Sequence, residues 1–173
     1  MSISVYDQTL GVMTPMLKNL DRIVSKAEEW VADKQIEPEA ILKARLAPDM
    51  LTFIHQVRIA TDVGKGAAAR LSGQEPPSWE DNEATFADVH VRIHKALDYF
   101  STFEPGQFEG SEKRAIQLKL RSGTLDMTGH QYVLNFVLPN FYFHVTTAYN
   151  LLRHNGLAIG KFDYLSGGKR PGE

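Results

Sequence analysis

Between Val5 and Val31 the apolar residues Leu10, Met13, Leu17, Leu20, Ile23, Val24 and Ala27 recur at three- and four-residue steps. A helix turns once in about 3.6 residues, so these positions share one side and predict a long amphipathic helix ending near Lys34. Ser4 is its candidate cap, with Asp7 three residues on, and Pro15 predicts a bend at its middle. A single turn is expected at Pro38 to Ala44. A second long helix is expected to open at Ala47-Pro48-Asp49, carry Met50, Phe53, Ile54, Val57, Ala60, Gly64, Ala67 and Leu71 on one stripe, and stop at Gly73. Its later half is small (Gly64, Gly66, Ala67, Ala68, Ala69), which lets a neighbouring helix come close.

After the Pro- and acid-rich QEPPSWEDNEAT, with Ser78 or Asn82 as candidate caps, Phe86, Val89, Ile93, Leu97 and Phe100 predict a third helix. The period then changes to two. Ile116, Leu118 and Leu120 alternate with polar residues, and Ser122-Gly123 separates them from Leu125 and Met127, which predicts a small β-hairpin. Thr128 and Gln131 make a capping box for a last helix that runs to Gly156, with a kink expected at Pro139. Beyond it Ile159, Phe162, Tyr164 and Leu165 are expected to anchor the chain against the bundle. The pattern predicts an all-α four-helix bundle with a β-hairpin inserted before the last helix: one domain over residues 1–167, then a loose C-terminal end at 168–173.

Composition narrows the function classes. The 19 Lys and Arg nearly balance the 21 Asp and Glu, without long runs of one sign, so nothing favours nucleic acid or an anionic membrane as partner. The chain has 0 Cys, which removes disulfides, thiolate nucleophiles and Cys-based zinc sites and leaves His, Asp, Glu, Asn or Gln as metal donors. MSISVYDQTLGVM lacks the layout of a signal peptide, and a soluble cytoplasmic protein is the expectation.

Four imidazoles bear on chemistry. His90 and His94 stand one turn apart on the third helix and could share a metal, but no third ligand lies nearby in sequence, so a solvated surface pair is expected. His144 lies in a helix that is apolar nearly all round, on a polar line with Asn140 and Thr147; a hydrogen-bonded core histidine is the expectation. His55 on the second helix, with Asp62 two turns on, could converge with His144 as a His/His/carboxylate set, although Asp62 is expected to pair with Lys65 or with a surface base such as Lys18. The aromatic residues of the last helix exceed what one core can hide, and Phe141, Tyr142 and Tyr149 are candidate contacts in a homodimer. No nucleophile elbow or phosphate loop is present.

Four stretches, ARLAPDM, ATDVGKGAAARLSG, LPNFYFHVTTAYNLLRHNG and GKFDYL, resemble an uncharacterised domain-of-unknown-function family within the DinB/YfiT-like superfamily. The resemblance implies a four-helix bundle of up-down-down-up connectivity, commonly dimeric. It also implies a divalent metal (Zn, Ni or Fe) held by a His of the second helix and an H-x-x-x-H pair on the fourth, serving in some members thiol-dependent transferases or isomerases; a transferase or hydrolase is the enzyme alternative for this chain. Counted back from Leu152-Arg153-His154-Asn155-Gly156, the second His of that pair falls on His144 and the first on Asn140, with His55 as the second-helix candidate. An Asn carbonyl binds transition metals more weakly than imidazole does. The expectation is therefore a soluble dimeric bundle that binds a partner or small ligand. The alternative is a metal-dependent enzyme using His55 and His144.

Overall fold

A computed structural model describes residues 3–120, 123–170 and 172. The chain begins with a single turn, α1 (Val5–Gln8), capped by the Ser4 hydroxyl accepting from the Asp7 amide at 3.0 Å. The long helix α2 (Leu10–Asp33) follows directly. The break between them falls at Thr9, whose backbone leaves the helical region (φ −113°, ψ −88°) while its hydroxyl donates back to the Val5 carbonyl at 2.7 Å; α2 then runs on through Pro15. The short α3 (Pro38–Leu42) has Pro in its first turn, as expected.

Helix α4 (Phe53–Ser72) opens six residues later than Ala47, because Ala47 to Met50 closes a turn and Thr52 is extended as the N-cap. It ends at Gly73, whose φ of +83° lies in the left-handed region that glycine adopts most readily. Helix α5 (Phe86–Ser101) is capped by a Thr85/Asp88 capping box rather than by Ser78 or Asn82. Two short 3-10 turns lead into the hairpin β1 (Ala115–Leu120) and β2 (Gly123–Thr128), antiparallel, with Ile116 opposite Met127 and Leu118 opposite Leu125. Ser122 of the expected turn lies outside the described residues. Ile116 and Leu118 are buried, so the hairpin is held by packing on the helices.

The last helix starts with α6 (Gly129–Tyr132), capped by the Thr128/Gln131 box, and continues through a π turn at Val133–Val137 into α7 (Leu138–His154). The expected Pro139 kink takes this form because Pro139 has no N–H and its ring crowds the preceding turn. The Leu138 amide reaches back to the Val133 carbonyl, widening the turn ahead of the proline. A final short helix, α8 (Lys161–Ser166), lies on α2, where the Asn19 amide donates to the Tyr164 carbonyl at 3.0 Å and Lys26 pairs with Asp163 at 2.5 Å. Ile159 is buried, whereas Phe162 and Leu165 remain 38% and 51% exposed and do not anchor the end.

Pairs of contacts give the helix directions. Asp21 meets His94 and Glu28 approaches His90, so α2 and α5 run antiparallel. Thr61 meets Arg92 and Gly64 meets Phe100, so α4 and α5 run parallel. Gln56 meets His144 and Arg70 meets Tyr132, so α4 and the last helix run antiparallel. The bundle is therefore up-down-down-up. A Cβ on Gly64 would stand 2.4 Å from the Phe100 ring, which accounts for the small residues of α4. The core is shared by all four long helices, with Met13, Leu17, Leu20, Phe53, Val57, Ile93, Phe141 and Leu151 among its buried residues.

Candidate functional site

His144 projects from α7 toward α4, where its Nδ1 lies 2.7 Å from Gln56 Oε1. The Gln56 Nε2 donates to the Leu51 carbonyl at 3.0 Å, which leaves only the amide oxygen to face His144. An oxygen of that kind can only accept, so the proton sits on His144 Nδ1 and the lone pair on Nε2. Burial pushes the His144 imidazole below its ordinary value, in agreement with a neutral ring. Sequence reasoning set His55 opposite His144. The structure sets Gln56 there, and neighbouring residues of a helix diverge by about 100° around its axis.

His55 instead faces a cleft of about 720 Å³ between α3, the start of α4 and the segment leading into α5. Its Nδ1 is held 2.6 Å from the hydroxyl of Thr52, the residue that begins the helix. Desolvation and the nearby Arg58 and Arg45 guanidiniums lower its affinity for a proton, against a weaker opposing pull from Asp81 and Glu83. The apolar walls come from Pro38, Leu42, Ile54, Phe86 and Ala87, and the rim carries Lys43, Arg45 and Arg58 together with Glu28, Glu37, Glu39 and Glu83. Lys43 is paired with Glu39, and Arg58 with Glu83 at 2.6 Å. Arg45 bonds the Met50 carbonyl and meets no carboxylate among the described residues. Neither Asn140 nor His144 lines this cleft.

Asp62 is committed elsewhere: its Oδ1 lies 2.7 Å from Lys65 Nζ, the pairing expected, and 2.9 Å from Arg92 Nη2. Both approaches are charge contacts whose angles fall short of a hydrogen bond. Arg92, on the same helix as the His90/His94 pair, is only 3% exposed. It donates to Thr61, to the Glu80 carbonyl and to Glu83 at 2.8 Å, while the Trp79 ring lies over it. Of the candidate dimer contacts, Phe141 is fully buried in the chain's own core, since α7 is flanked by helices on that side. Tyr142 stacks edge-on against Phe141, and Tyr149 against Tyr164. Phe143, at 55% exposure, is the ring of α7 that faces outward.

Among the described residues, one set of three His, Asp or Glu side chains has ligand atoms within 4.8 Å of one another, and it is Asp21, His90 and His94. The third donor that the sequence does not place near the His pair is Asp21 of α2. Sixty-nine residues separate Asp21 from His90, and no local signal joins them.

Residues 5–165 match a family described as a domain of unknown function, DUF1993. The chain belongs to the DUF1993 family. A crystal structure of a DinB family member protein from Shewanella denitrificans is similar to it, with 38% identity and a TM-score of 0.87 over 98% of this chain and 94% of that one. No curated protein matches the chain.

The metal that the DinB-like resemblance implies does not suit the donors this DUF1993 chain has at that place. Asp62 is neutralised by Lys65 and Arg92. His144 is engaged by the amide of Gln56, itself tied to the backbone. Asn140 offers a neutral carbonyl, and His55, Asp62 and His144 do not form a converging set among the described residues. The polar line of α7 is satisfied in part by internal hydrogen bonds, with Thr147 donating to the Phe143 carbonyl at 2.6 Å. No helix among the described residues is long and apolar enough to cross a membrane.

Proposed function

We propose that this bundle acts by binding, and that its ligand is a small, largely apolar molecule carrying one anionic group, held in the cleft at His55. The observation that supports it is the cleft itself: about 720 Å³, apolar walls, a neutral His55 fixed by Thr52, and Arg45 without a carboxylate partner among the described residues. Ligand sites of small molecules commonly combine such a volume with few polar groups. The apolar body would lie against Leu42, Ile54 and Phe86, and the anion would meet the Arg45 guanidinium. Self-association through the outward edge of α7 belongs to the same reading.

Anilinonaphthalene sulfonate, an aromatic body with one sulfonate, is a suitable probe. Its fluorescence is expected to rise on binding the native protein. Ala87→Trp, which fills the cleft from its exposed side, should abolish most of the rise, and Arg45→Gln should weaken binding about tenfold or more, the worth of a charge-assisted hydrogen bond. Unchanged binding in both variants overturns the reading. So does stoichiometric zinc, nickel or iron in untagged protein that disappears in His144→Ala, which would support the metal-dependent enzyme built on His55 and His144.

A further inference from the structure

The geometry points to a transition-metal site formed by Asp21, His90 and His94 on the outer seam between α2 and α5, away from the position the DinB-like resemblance implies. His90 and His94 are one turn apart, with ring centroids 6.2 Å from each other. Asp21 spans them from the antiparallel helix: its Oδ1 is 2.6 Å from His90 Nδ1 and its Oδ2 3.0 Å from His94 Nε2. Two imidazoles and one carboxylate on a single face are the donor set of three-ligand metal sites that leave positions open to water.

The separations suit an ion. With bonds of about 2.0–2.1 Å, the ligand atoms of a tetrahedral site stand about 3.3 Å apart. The two approaches to Asp21 are shorter than that by well under 1 Å, so an ion replaces the bridging protons after a small outward swing of exposed side chains. His94, 58% exposed, swings freely; Asp21 and His90, at 22% and 19%, line the seam, and their mutual approach is the one that has to widen most. A further carboxylate lies near the His90 ring. Glu28, two turns along α2, places Oε2 3.6 Å from His90 Nε2, the ring nitrogen that faces away from the ion. A carboxylate hydrogen-bonded to that nitrogen orients a ligating histidine and raises its basicity; at 3.6 Å Glu28 makes a charge contact that a small shift would turn into such a bond.

Nitrogen-rich sets of this kind favour Zn²⁺, Ni²⁺, Co²⁺ and Cu²⁺ over Mg²⁺ and Ca²⁺. The ion would tie α2 to α5 and leave coordination positions facing solvent. Glu28 also lines the His55 cleft, so the site adjoins that cleft without depending on it.

The test uses untagged full-length protein stripped with a chelator and titrated with cobalt chloride and with zinc chloride. One equivalent of Co²⁺ should give a visible ligand-field spectrum, and Zn²⁺ should displace it and raise the melting temperature, since an ion that binds only the folded state stabilises it. His94→Ala, exposed enough to fold normally, and Asp21→Asn should each weaken binding by at least 10–100-fold, roughly the loss recorded for removing even a supporting contact. His154→Ala should leave binding unchanged. Absence of a Co²⁺ spectrum, or a spectrum retained in both His94→Ala and Asp21→Asn, overturns the site and identifies the triad as a hydrogen-bonded ion pair only. Binding lost in His144→Ala but kept in His94→Ala overturns it in favour of the α4–α7 position, and overturns the ligand-binding reading as well. Binding lost in His94→Ala and Asp21→Asn but kept in His144→Ala supports the seam site and leaves that reading standing.

Discussion

The His144 ring already spends its Nδ1 proton on Gln56, so a second proton on Nε2 would create a buried cation for which the described residues supply no carboxylate. Its folded affinity for protons is thus below the ordinary value of 6.5, and that of His55 is lowered in the same direction. When the unfolded chain binds protons that the folded one refuses, stability increases with pH. The contribution is fully present above 6.5 and is lost as the pH falls below it. In urea titrations at neutral and mildly acidic pH, the wild type should lose more stability on acidification than His144→Gln does. An equal loss in the two proteins would show that the ring is not held neutral. The residue was legible in the sequence as a buried polar group in an apolar helix. Its partner was not, because His55 and Gln56 are adjacent and only the rotation of α4 selects between them.

The connection between α4 and α5 is an element without regular structure, and side chains hold it in place. Glu83 bonds Arg58 at 2.6 Å and Arg92 at 2.8 Å, both within charge-pair reach of Asp81, while Trp79 receives Lys65, Arg92 and Lys95 over its ring at 4.6, 5.3 and 4.9 Å. Burial raises the Glu83 carboxyl, but a backbone hydrogen bond and the two guanidiniums outweigh it and leave the group below its ordinary value of 4.5. Its contribution is therefore present above 4.5 and disappears as the pH falls through the depressed folded value. Glu83→Ala should cost about 3 kcal/mol, the low end for breaking a buried pair, because Arg92 keeps Asp62 and Asp81. Equilibrium denaturation measures it; a cost below about 1 kcal/mol, the usual worth of a surface pair, would mean that the crossover is not held there. The hydrophobic stripe placed α5 correctly from Phe86 on, yet its cap is Thr85. Several residues of that segment can cap, and the helix begins where Arg58 and Arg92 draw the crossover down.

For the whole molecule, the up-down-down-up bundle leaves the outward face of the last helix uncovered, with Leu134 and Phe143 at 43% and 55% exposure. Light scattering at micromolar concentration is expected to give the mass of a dimer, and Phe143→Ser to shift it to the monomer. A clean monomer in the wild type refutes self-association. The sequence by itself determined the four helical stripes, the Ser4/Asp7 and Thr128/Gln131 caps, the stop at Gly73 and the two-residue period of the hairpin. All of these depend on residues a few positions apart, whose relation is set by local backbone geometry. Only the tertiary structure decided that Asp21 bridges His90 and His94, that Arg92 is buried, that Phe141 belongs to the core and that Gln56 meets His144. Those contacts depend on the order and direction in which α2, α4, α5 and α7 pack, and on the angle each helix presents to its neighbour. A helical stripe defines that angle only to within the width of its apolar face, which is wider than the step between one residue and the next.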